Sequence, residues 1–494
     1  MSIAKKIIKS SVWLYLGQWF NRLIGLISTL IIARILTPDD FGLVASAMVV
    51  TSLFAVLTTT GQSFYLLRLK DITTDDLNTA WTIGLILKSL AFLGVFLSAG
   101  HVADFLEDQR LVIVLQILSL IPLINSFSNI GMVIYQKKMD YLPDFKLTTF
   151  SQTLSFITKI SCALIYETYW AFIIAEIVFG LSLMVGSYLL SPFRPEICLK
   201  HWKKQWSFSQ WVLLKGIFTT LRYRLDNLFV AKFFSANAVG LYSVTKDLAT
   251  LPAGQIINPI LNPLYVSLAE YIDRPNVFAD KVQKSILATA IVAMPIAFGI
   301  SVTGELLVDI LLGSKWEAAK SIIGALAFIS ISGPLTSLLY QVLTVLGKVK
   351  ASLVLDVTLG ILNVLVFISL GSLITLVEFA ELRVLLGFLT FFVALTYLSK
   401  ISSISFKETF FGVSIPFFAA LVMYTAVEFV RDFNLIDNTI LSLMILVVIG
   451  GIIYLFLLIS LVYLLKNKGS QFSFIWENIN MVYFFIKAKF YRNI

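Results

Sequence analysis

The sequence predicts an all-α polytopic membrane protein of about 14 transmembrane helices, with two six-helix pseudo-symmetric lobes followed by two C-terminal helices. Three observations carry this. The 494 residues are 58% hydrophobic and only 14% charged, too few charges to cover a soluble chain of that length. Apolar runs of about 20 residues, enough to cross a bilayer as helices, recur throughout. Finally, "ARILTPDDFGL" at residues 33–43 returns as "AKFFSANAVGL" at 231–241. Ala33, Arg34, Gly42 and Leu43 match Ala231, Lys232, Gly240 and Leu241 at one ungapped offset of 198.

Composition also excludes. No polar stretch is long enough to form a soluble catalytic domain. In so apolar a chain, the net charge of +9 reads as juxtamembrane lysines facing anionic lipid, not as a nucleic-acid surface. Cys162 and Cys198 are too few and too badly placed for a disulfide framework or a zinc site.

The first span, near 12–34, follows the basic start Lys5, Lys6 and Lys9. It lacks a small-residue cleavage site and polar residues interrupt it, so it reads as a retained helix. The second, near 41–65, opens on "TPDDFG", where Asp39 suits a helix N-cap. The others of the first lobe lie near 80–100, 111–134, 146–166 and 168–190. The second lobe repeats the plan near 209–231, 240–267, 284–303, 320–345, 351–373 and 378–398, and a final pair lies near 409–430 and 439–465. Between the ninth and tenth spans, "DILLGSKWEAAKS" is either a helix start near Glu317 or a half-inserted loop.

Lys and Arg concentrate on the side that holds both termini, for example at Lys137, Lys138, Lys200, Lys203 and Lys204; that side is expected to be cytoplasmic. The expected domains are residues 1–198, 199–400 and 401–494, the last ending in an interfacial tail rich in Lys and aromatic residues. Because the repeat interval holds an even number of spans, both copies share one orientation, as in parallel transporter repeats. Arg34 and Lys232 are placed at the outer membrane edge, snorkelling.

Charges within spans are costly and usually face a cavity or a partner. In the first helix Gln18, Arg22, Gly25 and Thr29 share one face; in the fifth, Thr148, Gln152, Ser155, Lys159 and Cys162 do. The intramembrane cations are Arg22, Lys88, Lys159, Lys215, Arg222, Arg224 and Lys246, and all are candidate ligands for an anionic substrate. Arg22, Lys88 and Lys159 have no anion on the same helix face. Asp226, Asp247 and Asp356 are candidates for coupling to a proton or sodium ion; Asp226 and Asp247 can instead pair with Arg222 and Lys246 as structural bridges. Pro252, Pro259 and Pro263 cluster in the eighth span, the expected hinge. No cofactor or metal is expected.

"RYRLDNLFVAKFFSANAVGLYSVTKDLATLP", "IINPILNPLYVSLAE" and "LLGSKWEAA", together with the opening stretch, resemble the bacterial polysaccharide transporters. These are the Wzx-type flippases of the multidrug/oligosaccharidyl-lipid/polysaccharide exporter superfamily, here closest to the colanic-acid-exporter-like branch. The resemblance covers roughly residues 5–400 well and the last two helices loosely. It implies a two-lobed fold and movement of undecaprenyl-pyrophosphate-linked oligosaccharide from the cytoplasmic to the periplasmic leaflet of the inner membrane. It also implies a place beside a polysaccharide polymerase and export machinery. Relatives meet the pyrophosphate with a cationic cavity, and their last two helices can border a lipid groove. Arg22, Arg222 and Arg224 stand where such cations are expected; Lys88 and Lys159 match no family motif. Two rivals remain: a multidrug cation antiporter of the same fold, and a membrane glycosyltransferase or polymerase acting on a lipid-linked sugar, for which Asp39 and Asp40 would be the acidic pair.

Overall fold

A computed structural model describes residues 3–56, 61–433, 438–467, 470–473 and 476–477. All its regular structure is helical among the described residues. The chain runs through α1 (Ile3–Ile35), α2 (Pro38–Ala55), α3 (Gln62–Arg68), α4 (Thr74–Leu106), α5 (Arg110–Leu118), α6 (Leu120–Ser126), α7 (Met132–Lys137), α8 (Leu142–Tyr166), α9 (Trp170–Leu190), α10 (Trp202–Phe233) and α11 (Ala236–Ala269). It continues through α12 (Pro275–Leu311), α13 (Lys320–Leu326), α14 (Ile329–Val345), α15 (Val349–Leu370), α16 (Leu376–Ile401), α17 (Phe406–Asp432) and α18 (Thr439–Leu465).

Each of the 14 expected segments falls on a helix or on a broken helix. Among the described residues nine helices are long and apolar enough to cross a bilayer, and a tenth span results if α14 is joined to the segment Ser314–Leu326, across a 44° bend. Length and hydropathy therefore establish a multi-pass membrane protein, while a count of 14 goes beyond them for the described residues. The fourth expected span is not one helix but α5, α6 and α7 in succession. The stretch around Glu317 resolves as a short 3-10 turn, Ser314–Ala319, leading directly into α13.

Packing separates the chain into two compact units, Met1–Ser243 and Val244–Ile494. α10, the first helix of the second repeat, packs in the first unit against α2, α3 and α4. In the second unit α12 packs against α14, α17 and α18 around buried Ala290, Ala293 and Ala297, whose small side chains let the helices approach. The tail turns back onto this unit: Ser470 donates to Asp280 at 2.5 Å, and buried Phe472 meets Phe411 edge to face. The expected interfacial segment beyond residue 477 lies outside the described residues.

The 198-residue offset persists in the structure. α1 ends at Ile35 and α10 at Phe233; α2 begins at Pro38 and α11 at Ala236. The N-cap of α2 is Thr37, not Asp39 as expected. Thr37 Oγ1 accepts from Asp40 N at 3.3 Å, while the Asp40 carboxylate accepts from Thr37 N at 3.1 Å. Asp39 already sits inside the first turn, where its side chain cannot reach back to cap. It takes Arg110 instead, at 2.6 Å. In the second copy Ser235 Oγ accepts from Ala238 N at 3.3 Å.

Lys232 finds protein partners: its ammonium donates to the Phe105 carbonyl at 2.8 Å and to Glu107 at 3.1 Å, so it caps the C-terminus of α4. The unbonded carbonyls of that last turn attract positive charge.

The two repeat turns touch. A Cβ on Gly42 would lie 1.6 Å from the Ala236 carbonyl oxygen, and one on Gly240 would lie 1.8 Å from that of Pro38. Only glycine permits the crossing. Gly42→Ala and Gly240→Ala are each expected to destabilise the first unit by about 1–3 kcal/mol through overpacking. Gly25→Ala and Gly100→Ala, where nothing lies within 4 Å of the added carbon, should instead be neutral or stabilising by up to about 1 kcal/mol. Thermal denaturation of the four purified variants reads the difference, and equal melting temperatures would contradict the close crossing.

Candidate functional site

The candidate residues do not form one cluster. In the first unit, α1 packs along α8, and Trp13 meets Phe145 with ring centroids 5.0 Å apart. Arg22 is exposed on α1. Elsewhere on these two helices, Asn21 Oδ1 and Ser28 Oγ on α1, and Thr149 Oγ1 and Ser151 Oγ on α8, are buried polar atoms without a hydrogen-bond partner among the described residues. Such atoms are costly in an apolar interior.

Lys159, also on α8, turns towards α9. Its ammonium lies 5.3 Å from the Phe172 ring centroid and within the field of Glu176. The sequence reading that Lys159 lacks an anion holds for its own helix; the neighbouring helix supplies one. Phe172 in turn packs edge to face on Phe41 at 5.0 Å, close to the start of α2. Ser155 of the same stripe donates to the Ala175 carbonyl at 3.0 Å and is structural.

Lys88 occupies a different place. Its Nζ donates to the Asn125 carbonyl, 2.9 Å away, at the C-terminal end of α6. Arg224 is exposed on α10, and Lys246 is half-buried on α11. Asp226 is buried and accepts from the Tyr242 hydroxyl at 3.2 Å and from Asn227 N at 3.0 Å. Asp247 is exposed, and Asp356 lies half-buried on α15 in the second unit. The side chains of Lys215, Arg222, Pro259 and Pro263 lie outside the described residues.

A polar seam that sequence reasoning missed runs at the other end of α4. The extended linker from α9 to α10 lies along it: Glu196 N donates to Asn78 Oδ1 and Cys198 N to Thr82 Oγ1, each at 2.9 Å. His201 Nδ1 sits 2.6 Å from Asp76 Oδ1, and Gln205 Nε2 donates to the Asp76 carbonyl at 2.9 Å. Asp75 pulls the pKa of the Lys200 ammonium up from its ordinary value, through a contact of 2.5 Å. The available signal was "TTDD" at 73–76, a capping box that Thr73 and Asp76 complete. At the opposite end of the unit, burial alone would raise the Asp108 carboxyl, but hydrogen bonds from Arg110 outweigh it and hold the group below the usual carboxylate range.

Two apolar grooves complete the picture. One, of about 450 Å³, lies between α8 and α9 in the first unit, with Lys146 at one end and Phe150, Val185 and Leu189 along it. The other, of about 420 Å³, lies in the second unit among Pro252, Pro295, Gly299, Met423, Val427 and Gly450. Pro252, an expected hinge residue, therefore lines a groove with α12, α17 and α18.

Pro295 deprives the Ile291 carbonyl of its helical donor. The Tyr454 hydroxyl of α18 supplies the replacement at 2.8 Å. Tyr454→Phe is expected to cost about 1–3 kcal/mol, because a buried carbonyl is left unbonded. In a Pro295→Ala background the loss should nearly vanish, because the backbone then bonds Ile291 itself. Denaturation of the double-mutant cycle measures this, and full additivity would contradict it.

Comparison with known proteins places these features. The family model described as "Polysaccharide biosynthesis protein" matches residues 31–321. The teichuronic acid biosynthesis protein TuaB of Bacillus subtilis is 22% identical over 94% of this chain and 98% of its own. The lipopolysaccharide biosynthesis protein WzxC of Escherichia coli is 22% identical over 69% of this chain and 70% of its own. Among solved structures, the lipid II flippase MurJ in an inward closed conformation superposes with a TM-score of 0.67, at 13% identity over 90% of this chain and 97% of its own. An inward-facing multidrug resistance MATE transporter of the MOP superfamily gives 0.55, at 13% identity over 79% of this chain and 98% of its own. The flippase and the drug transporter thus share this fold.

Proposed function

Because this chain belongs to the polysaccharide biosynthesis protein family, we propose that it is a flippase for lipid-linked oligosaccharide. It would carry undecaprenyl-pyrophosphate-linked repeat units from the cytoplasmic to the periplasmic leaflet of a bacterial inner membrane, by alternating access, for surface polysaccharide synthesis. Both termini would be cytoplasmic, as the distribution of lysine and arginine favours. A polymerase and export machinery would receive the product.

The observation that carries this reading is Arg22, which stands exposed on a helix long and apolar enough to cross a membrane. Arginine offers a planar fork of donors for phosphate oxygens. Lys159, on α8, is a second candidate cation, turned towards α9 and within the field of Glu176. The cations of the seventh and eighth spans, Lys215, Arg222, Arg224 and Lys246, are further candidate ligands for the substrate. Asp226, Asp247 and Asp356 are the proposed sites for a coupling proton or sodium ion.

Specific observations weigh against the rivals. A carrier of cationic drugs needs an anionic cavity, whereas this chain puts Arg22 on its first helix. A glycosyltransferase would need the pair Asp39 and Asp40 free for chemistry. Asp39 instead holds Arg110 at 2.6 Å, and Asp40 closes the capping box and accepts from Tyr169 N at 3.2 Å. The reading is therefore that of a carrier.

Proteoliposomes loaded with purified lipid-linked oligosaccharide provide the test. Transfer between leaflets should depend on the protein, and Arg22→Ala and Lys159→Ala should each slow it about 10- to 100-fold through loss of a charge-assisted contact. Protein levels in the membrane should be unchanged. Normal transfer by both well-inserted variants would overturn the cationic site, and protein-independent transfer would overturn the function.

A further inference from the structure

α5 and α6 together form an apolar rod from Arg110 to Ser126. At about 1.5 Å per residue it is roughly 25 Å long. It stops beside Lys88, near the middle of the 33-residue α4. A helix that ends there leaves its negative, carbonyl-bearing end within the length of a spanning helix, where the protein itself must supply donors. The local backbone seals it only in part. The Leu123 carbonyl accepts from Ser126 Oγ at 2.6 Å, and Ile124 accepts from Phe127 N at 3.2 Å. Asn125 accepts from Ser128 N only at 3.3 Å. Asn129, which would close the next turn, is committed elsewhere: its N–H goes to Ser187 Oγ at 2.9 Å and its side-chain amide to the Phe193 carbonyl at 2.7 Å.

The Lys88 ammonium fills the remaining position, 2.9 Å from the Asn125 carbonyl oxygen. Among the described residues no carboxylate forms a salt bridge with it. One positive charge thus meets a neutral carbonyl oxygen at a helix end, without a carboxylate salt bridge among the described residues. The corresponding break in the second unit needs no such charge. There Phe328 N bonds Ala325 at 3.1 Å, Ser330 N bonds Ala327 at 3.0 Å and Ile331 N bonds Phe328 at 3.1 Å, so the backbone closes its own turn.

We propose that Lys88 is a tethered cation occupying a monovalent-cation site at the carbonyl end of α6, and that removing its amine opens this site to a free inorganic or alkylammonium cation. The first unit then needs no external ion at this position. The site exists whatever the transported substrate is, so stability can test it independently of flipping.

The experiment uses the full-length, detergent-purified chain in choline, sodium or methylammonium chloride at equal ionic strength. Wild type and Lys88→Arg, which keep a tethered charge, should melt at one temperature in all three salts. Lys88→Ala should melt about 3–8 °C lower in choline. Sodium or methylammonium should restore it saturably. Should the alanine variant aggregate during extraction in choline, extraction in methylammonium is expected to recover it. Failure of both cations to restore or recover the alanine variant would overturn the proposal. So would the same salt response in wild type.

Discussion

In an apolar solvent a backbone carbonyl without a donor has no water to turn to, and this constraint organises the molecule. Long helices satisfy it internally, so the places that need explanation are the interruptions. At interruptions and helix ends among the described residues, side chains from elsewhere in the sequence supply such donors. Lys88 reaches the end of α6, Lys137 reaches the Leu69 carbonyl at the end of α3, and Lys232 reaches the end of α4. Tyr454 covers the carbonyl that Pro295 exposes, and Asn129 ties the turn after α6 to the extended linker at Phe193. Three of these donors are lysines at helix C-termini, where the helix dipole favours positive charge.

The same constraint gives the repeat its physical meaning. An N-cap is needed wherever a helix restarts, and Thr37 and Ser235 provide it at equivalent positions. With both restarts fixed, Gly42 and Gly240 fall at equivalent depths, and their missing side chains let the two turns meet. Similar sequence has thus been kept where backbone geometry is demanding. Elsewhere the copies diverge: Asp39 and Asp40 face Asn237 and Ala238, because only the first copy has Arg110 and the Tyr169 amide to hold.

What was legible in the sequence follows from this. Spans were legible because a helix in lipid must be apolar for about 20 residues. The repeat was legible because caps and glycines are residue-specific. The seals were not, because a carbonyl has no residue identity. Nothing in the sequence couples Lys88 to Asn125 or Tyr454 to Ile291. Face-by-face counting of charges failed at Lys159 for a related reason: it sees one helix at a time, and Glu176 belongs to the next. Asp39 looks like a cap in the sequence, but the helix begins one residue before it, at Pro38.

These seals also sort the cations. A surplus of intramembrane positive charge looks, in sequence, like one anionic binding site. In three dimensions the charges are dispersed and differently partnered. Lys88 ends on a carbonyl, while Lys159 shares its charge with a ring and a carboxylate. Arg22 differs in that it is exposed, on a helix long and apolar enough to cross a membrane. The depth at which that charge is presented, rather than the number of positive charges, is what argues for an anionic ligand there.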